Sequence, residues 1–332
     1  MRRRHFIGLL GGAAAGWPWA AANAQDGRKI RRLAILSPFE PVALMREDST
    51  NRYYRVLFEE LRRLGHIEGW TLSVERYGRE QAGGGMRAMV ADLVRSGPDC
   101  VYSLGGSELL KGTNIPVVAM SPDPVASGLV QSLARPGGNI TGVSVDAGPA
   151  IYGKRIELLR EAVPQITKLG YVTFRLAWEL FQGAGVRAAA ATSGLALAPA
   201  LLELPLNKDR YHTALAGLVG EGANAIMIGD TPDAMENRAS IVALVAETRL
   251  PALYTFTEFV TVGGLMAYSY DLAELNRRVA NDIDAIFRGA SPADIPYYQA
   301  SKFVLSLNLK TAQAQGITFA PSMLARADEI VE

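Results

Sequence analysis

Short apolar runs recur along the chain, and amphipathic stretches with helical spacing separate them. Arg32–Leu36 is the first run, and it stops at Ser37-Pro38, because proline cannot continue a central strand. Tyr54, Leu57, Leu61 and Leu64 then repeat at helical spacing within residues 51–64, with Gly65 as the stop. Thr71–Tyr77 reads as a second strand. Met86, Met89, Val90, Leu93 and Val94 form a helical stripe ended by Gly97-Pro98. Asp99–Leu104 and Pro116–Met120 are further strands. Such β-α-β-α-β order requires a parallel sheet covered by helices on both faces.

The series then restarts. A helix over 154–163, a strand Lys168–Thr173 and an Ala-rich helix from about 177 to 192 come first. Next come Ala198–Leu204, a helix Lys208–Val219, Asn224–Ile228, a helix over 234–247, and Pro251–Tyr254. Leu265–Ser269 leads into a helix with Leu275, Val279, Ile283 and Phe287 on one stripe, and Lys302–Leu309 is the last strand. The expected fold is α/β: two doubly wound parallel-sheet lobes joined by a multi-segment hinge. The expected division is 28–145 plus 267–297 for the N-terminal lobe and 146–266 plus 298–332 for the C-terminal lobe. Ile140–Val145, after Gly137-Gly138-Asn139, reads as the crossing segment.

Residues 1–24 read as an export leader. Arg2-Arg3-Arg4 precede a short apolar run, and Ala22-Asn23-Ala24 has the small-x-small form of a cleavage site. Arg3-Arg4-His5-Phe6-Ile7 fits a twin-arginine address, with an ordinary Sec leader as the alternative. The expected location is the periplasm. Without the three leader arginines the chain has 31 basic against 33 acidic residues, a net charge of −2. That balance argues against nucleic acid and against a polybasic membrane contact. The lone Cys100 lies in an apolar strand and is expected to be an inert buried thiol. His66 and His212 have no His or Cys neighbours, so neither a zinc site nor a Ser-His-Asp triad is expected. No cofactor and no catalysis are expected.

Ligands of open parallel sheets bind beyond the carboxyl ends of the strands. Those ends carry Ser37, Gly105-Gly106-Ser107, Asp123, Asp230-Thr231, the Tyr254–Glu258 run with Phe256 and Glu258, and Tyr268-Ser269 with Asp271. Hydroxyls and glycine amides can hold a carboxylate, an aspartate can hold an ammonium, and aromatic rings can stack on a side chain. Ser37, Asp123 and Asp271 are equally well placed to cap helices.

Several longer stretches resemble the substrate-binding proteins of ABC transporters, in the group typified by tryptophan- and tyrosine-binding members. They include RVLFEELRRLGHIEGWTLSVE, SPDPVASGLVQSLARPGGNITGVS, GKRIELLREAVP, LPALYTFTEFVTVGGLMAYSYDLAE and SKFVLSLNLKTAQAQGI. The resemblance implies the type I periplasmic binding protein fold, in which two lobes close on a small ligand and the closed form docks on an inner-membrane permease. It also implies a monomer that binds an amino acid or related carboxylate. The rival readings are a sensory receptor for a membrane signalling partner and a decayed paralogue with weak binding. Two segments depart from the family pattern. Only Ser107–Asn114 stand where relatives carry a full helix, and Phe174-Arg175 with a shortened segment replace an Asn/Pro-rich turn. Phe174 could offer a stacking face there.

Overall fold

The computed structural model describes residues 30–145, 148–203 and 207–332; the expected leader lies outside the described residues. The strands in chain order are β1 (Arg31–Leu36), β2 (Leu72–Tyr77), β3 (Cys100–Ser103), β4 (Val117–Ser121), β5 (Ile140–Ser144), β6 (Lys168–Phe174), β7 (Ala196–Leu202), β8 (Ala225–Ile228), β9 (Ala252–Tyr254), β10 (Met266–Tyr270), β11 (Tyr298–Gln299), β12 (Phe303–Asn308) and β13 (Glu329–Val331). They form two sheets. The first has the order β11-β5-β4-β3-β1-β2 and the second the order β13-β12-β10-β9-β8-β6-β7. The first sheet is parallel throughout, and in the second only β10 and β12 run antiparallel.

Both sheets are covered on their two faces, and this explains the unbroken apolar runs. All four residues of β3 and of β8 are buried, as are Leu33–Leu36 of β1. The helix Met86–Ser96 packs Met89, Val90 and Leu93 on one face of the first sheet. The helices Arg52–Arg63 and Leu272–Phe287 cover the other face with Leu57, Leu61, Leu275, Val279 and Ile283, none of them exposed. Each such side chain contributes about 1.5–3 kcal/mol of burial.

Ile140–Ser144, expected as a crossing, is instead a strand of the first sheet between β4 and β11. Gly142 makes that fit, since a Cβ there would lie 1.9 Å from the Ala119 carbonyl oxygen. The chain passes to the second sheet between Ser144 and Ala150. It returns at Asp271, because β10 pairs with β9 and β12 while the helix that follows packs on the first sheet. The last passage falls between Gln299, still paired with β5, and Phe303. These crossings stand a few residues from the expected 266/267 and 297/298 boundaries. The connection from β3 to β4 holds a single helical turn, Ser107–Leu110. The segment after β6 is helical from Arg175 to Thr192, with a π-turn over Trp178–Gln182.

Cys100 is fully buried, and burial pushes its thiol well up, as an inert core cysteine requires. Asp282, on the buried face of the helix Leu272–Phe287, is less comfortable. Its side chain is 3% exposed, Oδ1 lies 3.1 Å from Arg278 Nε, and Oδ2 has no hydrogen-bond partner. Burial raises the carboxyl to about 7, against the pull of Arg278. Between the ordinary aspartate value and about 7 the unfolded chain ionises while the folded chain keeps its proton. Stability therefore falls as pH rises through that window and levels off above it. Urea denaturation of Asp282→Asn should show the variant gaining on wild type by on the order of 2 kcal/mol between pH 5 and pH 8. An equal offset at both pH values would refute this account.

Candidate functional site

In each sheet the strand order reverses at one place, between β1 and β3 in the first and between β6 and β8 in the second. A crevice opens beyond the carboxyl ends at such points. The residues there are Ser37 and Leu104–Gly106 on one side, and Phe174 and Gly229-Asp230 on the other.

The first edge is organised by Glu40. Its carboxylate accepts hydrogen bonds from Tyr54 Oη at 2.5 Å, Asn51 Nδ2 at 3.0 Å and Ser37 Oγ at 3.2 Å. Burial raises its pKa, the three donors oppose that, and nearby Glu236 of the second half adds to it. The second edge is organised by Asp230. Tyr270 Oη donates to Asp230 Oδ2 at 3.1 Å, and Arg155 Nη2 lies 3.8 Å away. Burial again raises the pKa, against Arg155 and Tyr270. Arg155 itself is fully buried and donates to the Tyr268 carbonyl and Ser269 Oγ.

Beside these edges lies a cavity of about 360 Å³. Its walls come from the first turns of the helices Arg52–Arg63 and Leu272–Phe287, the ends of β9 and β10, and the β12 and β13 region. Aromatic surface comes from Tyr53, Phe256 and Tyr270, and hydroxyls come from Thr255, Thr257 and Ser269. Phe256 and Tyr270 meet edge to face at 5.5 Å. Asp271 holds one wall: Oδ1 accepts from the amides of Ala273 and Glu274, and Oδ2 accepts from Lys302 Nζ at 2.8 Å. Burial raises the Asp271 carboxyl, but Lys302 and the two amides outweigh it and hold the group below its ordinary value. Near the cavity, Glu258 has buried carboxylate oxygens without a hydrogen-bond partner, and Arg52 Nε lies 3.8 Å from it. Burial and the Glu258 charge push the Tyr53 phenol well up.

The sequence profile described as "ABC transporter substrate binding protein" matches residues 45–331. The chain belongs to this family. It is 21% identical over 297 residues to a tyrosine-binding protein of Clostridioides difficile, covering 87% of this chain and 82% of that protein. Its fold is similar to that of an ABC domain from Streptococcus pneumoniae in complex with L-Trp, with a TM-score of 0.78 at 22% identity over 91% of this chain and 99% of that one. A conserved domain protein from Vibrio cholerae gives the same TM-score of 0.78 at 22% identity, with 91% and 100% coverage.

Against that family background the expected site residues separate. Phe256, Ser269 and Asp271 line the cavity. Ser37, Gly105, Phe174 and Asp230 stand at the strand ends of the two switch points, and Glu258 stands behind Arg52. Others are spent on the scaffold. Gly106 has φ +77, and a Cβ there would meet Met86 Sδ at 2.8 Å. Ser107 Oγ is buried on Ser103 Oγ, and Thr231 Oγ1 caps Ala234. Tyr254 stacks on Phe259, and Tyr268 stacks on Phe303. Asp123 is exposed and caps its own turn through the amides of Val125 and Ala126.

Sequence reasoning missed Glu40, Arg52, Tyr53, Arg277, Lys302 and Gln182. Asn51, which caps Tyr53, was the one local signal that a helix start lay there. Gln182 follows from the π-turn, a feature concentrated at functional sites. It is fully buried, accepts from Tyr171 Oη and Thr173 Oγ1, and donates to the Asp230 carbonyl at 2.8 Å. Gln182→Ala would leave those groups unpaired in the interior. Urea denaturation should show a loss of on the order of 3 kcal/mol.

Proposed function

We propose that this chain is the periplasmic solute receptor of an ABC importer. It closes two α/β lobes on an amino acid or related carboxylate, as a monomer, and hands it to an inner-membrane permease without chemical change. The observation that carries the reading is the cavity between the carboxyl ends of β9 and β10 and the starts of the helices Arg52–Arg63 and Leu272–Phe287. Its aromatic, hydroxyl and charged walls come from both halves of the chain and suit a small polar ligand with an apolar part. Family membership supports it, as do a relative named for tyrosine and a structural neighbour holding L-Trp.

Ion pairs of two arginines join the halves over this seam. Arg79 Nη1 reaches both Glu236 oxygens at 2.8 and 2.7 Å, and Arg52 lies between Glu258 and Glu329. The exposed Arg79–Glu236 pair is weak and the Arg52 contacts are long, so a ligand can set the balance between open and closed forms. The ligand contacts proposed are Phe256, Ser269 and Asp271 at the cavity, with Ser37, Gly105, Phe174, Asp230 and Glu258 around it.

Thermal unfolding of the purified mature chain, run against amino acids and carboxylates with L-tryptophan and L-tyrosine first, tests the reading. A true ligand at one hundred times its Kd adds about 2.7 kcal/mol. A flat response across the whole set would sink the proposal and favour a decayed copy.

A further inference from the structure

We infer that Arg52 and Arg277 together form the seat for the ligand's carboxylate, which makes the cavity a reader of anionic ligands. This rests on the receptor reading and adds which end of the ligand goes where. The formally charged side chains on the wall are balanced: Arg52, Arg277 and Lys302 face Asp271, Asp328 and Glu329. Their hydrogen bonds are unevenly shared: among the described residues Asp271, Lys302 and Asp328 are engaged, whereas the side chains of Arg52, Arg277 and Glu329 make none. Asp271 is spent on two amides and Lys302, which in turn is spent on Asp271. Asp328 Oδ2 accepts the Leu305 amide at 2.8 Å.

The two guanidinium groups differ from these. Among the described residues, Arg277 has no ion pair and no side-chain hydrogen bond; it lines the cavity, and its charge also acts on Glu60 of the neighbouring helix. Arg52 donates no hydrogen bond either. It lies 3.8 Å from Glu258 and 3.7 Å from Glu329, well beyond the roughly 2.7–2.9 Å of a formed charge-assisted bond. Each fork carries five N–H donors matched to a carboxylate. Leu272 and Ala273, in the first turn of a sixteen-residue helix, line the same wall and add the positive end of its dipole. Arg52 and Arg277 come from helices packed on the first sheet, whereas Thr255, Thr257 and Ser269 on the same cavity come from the second half. A carboxylate seated there draws the halves together.

Calorimetric titration with L-tryptophan, L-tyrosine and their amides decides the matter, using wild type, Arg52→Gln, Arg277→Gln, the double variant, Arg52→Lys, and Arg95→Gln as a surface control. Wild type should prefer the acids over the amides by at least about tenfold. The double variant should lose that preference while still binding the amides as wild type does. Arg52→Lys should fall between, since it keeps the charge and loses the fork. Equal binding of acid and amide by wild type, or full acid affinity in the double variant, overturns the seat and leaves the receptor reading standing. Failure of wild type to bind any of the four probes overturns the receptor reading for this ligand class and the seat with it. Matching melting curves across the variants show that each has folded.

Discussion

Asp271 ties together two of the three places where the chain passes between its sheets. Its backbone amide donates to the Lys302 carbonyl at 2.9 Å, and its carboxylate takes the Lys302 ammonium and two amides of the next helix. On one side of it β10 belongs to the second sheet, and on the other Leu272–Phe287 belongs to the core of the first. A single aspartate therefore caps a helix in one half, ends a strand in the other and pins the neighbouring crossing. Its lowered pKa means that this stabilisation is complete at neutral pH and is lost only on acidification below the ordinary aspartate range.

The knot also explains where a cavity can form. Parallel sheets wrapped in helices have no free face, so only their carboxyl edges can receive a ligand. Two such edges must face each other, and the crossings set how far apart they stand. At the seam the protein places groups whose charge is costly to hold there. Glu40 and Asp230 are both raised by burial; Glu40 is met by neutral hydroxyl and amide donors, Asp230 by the Arg155 charge and the Tyr270 hydroxyl. Among the described residues Glu40 has no ion-pair partner, and Asp230 has only a long contact to a guanidinium engaged elsewhere. Such carboxylates gain from an approaching cation more than solvated ones do, because less water stands between them and it.

Much of the fold was legible because burial on both faces writes itself as continuous apolar runs. β1, β3, β4, β6 and β8 fell within a residue or two of their expected bounds. Ile140–Ser144 was misjudged because the Gly-Gly-Asn turn before it suggested a boundary, whereas Gly142 is a packing glycine inside a strand. β11 and β13 are two and three residues long and carry no apolar pattern, so only pairing defines them. The site was less legible for a related reason. Strand ends can be read from sequence, and three residues expected there, Phe256, Ser269 and Asp271, line the cavity. Arg52 and Arg277 lie on helices, where an arginine looks like any solvated surface charge, and only the tertiary arrangement brings both to one cavity.

The glycines after β3 show the same limit from the other direction. Gly105-Gly106 was expected to offer bare amides to a ligand. A Cβ on Gly105 would sit 3.2–3.3 Å from Phe39 and Pro38, and one on Gly106 would sit 2.8 Å from Met86 Sδ, so both glycines also serve the packing. The glycines are needed so that β1, the helix Met86–Ser96 and the one-turn link to β4 can close on each other. With Ser107 bound to Ser103 as well, the shortened crossover has become a wall. The neighbouring loop exposes Phe39 and holds the Glu40 carboxylate at the seam. A one-turn link between two strands can thus keep the fold by packing tightly against its neighbours.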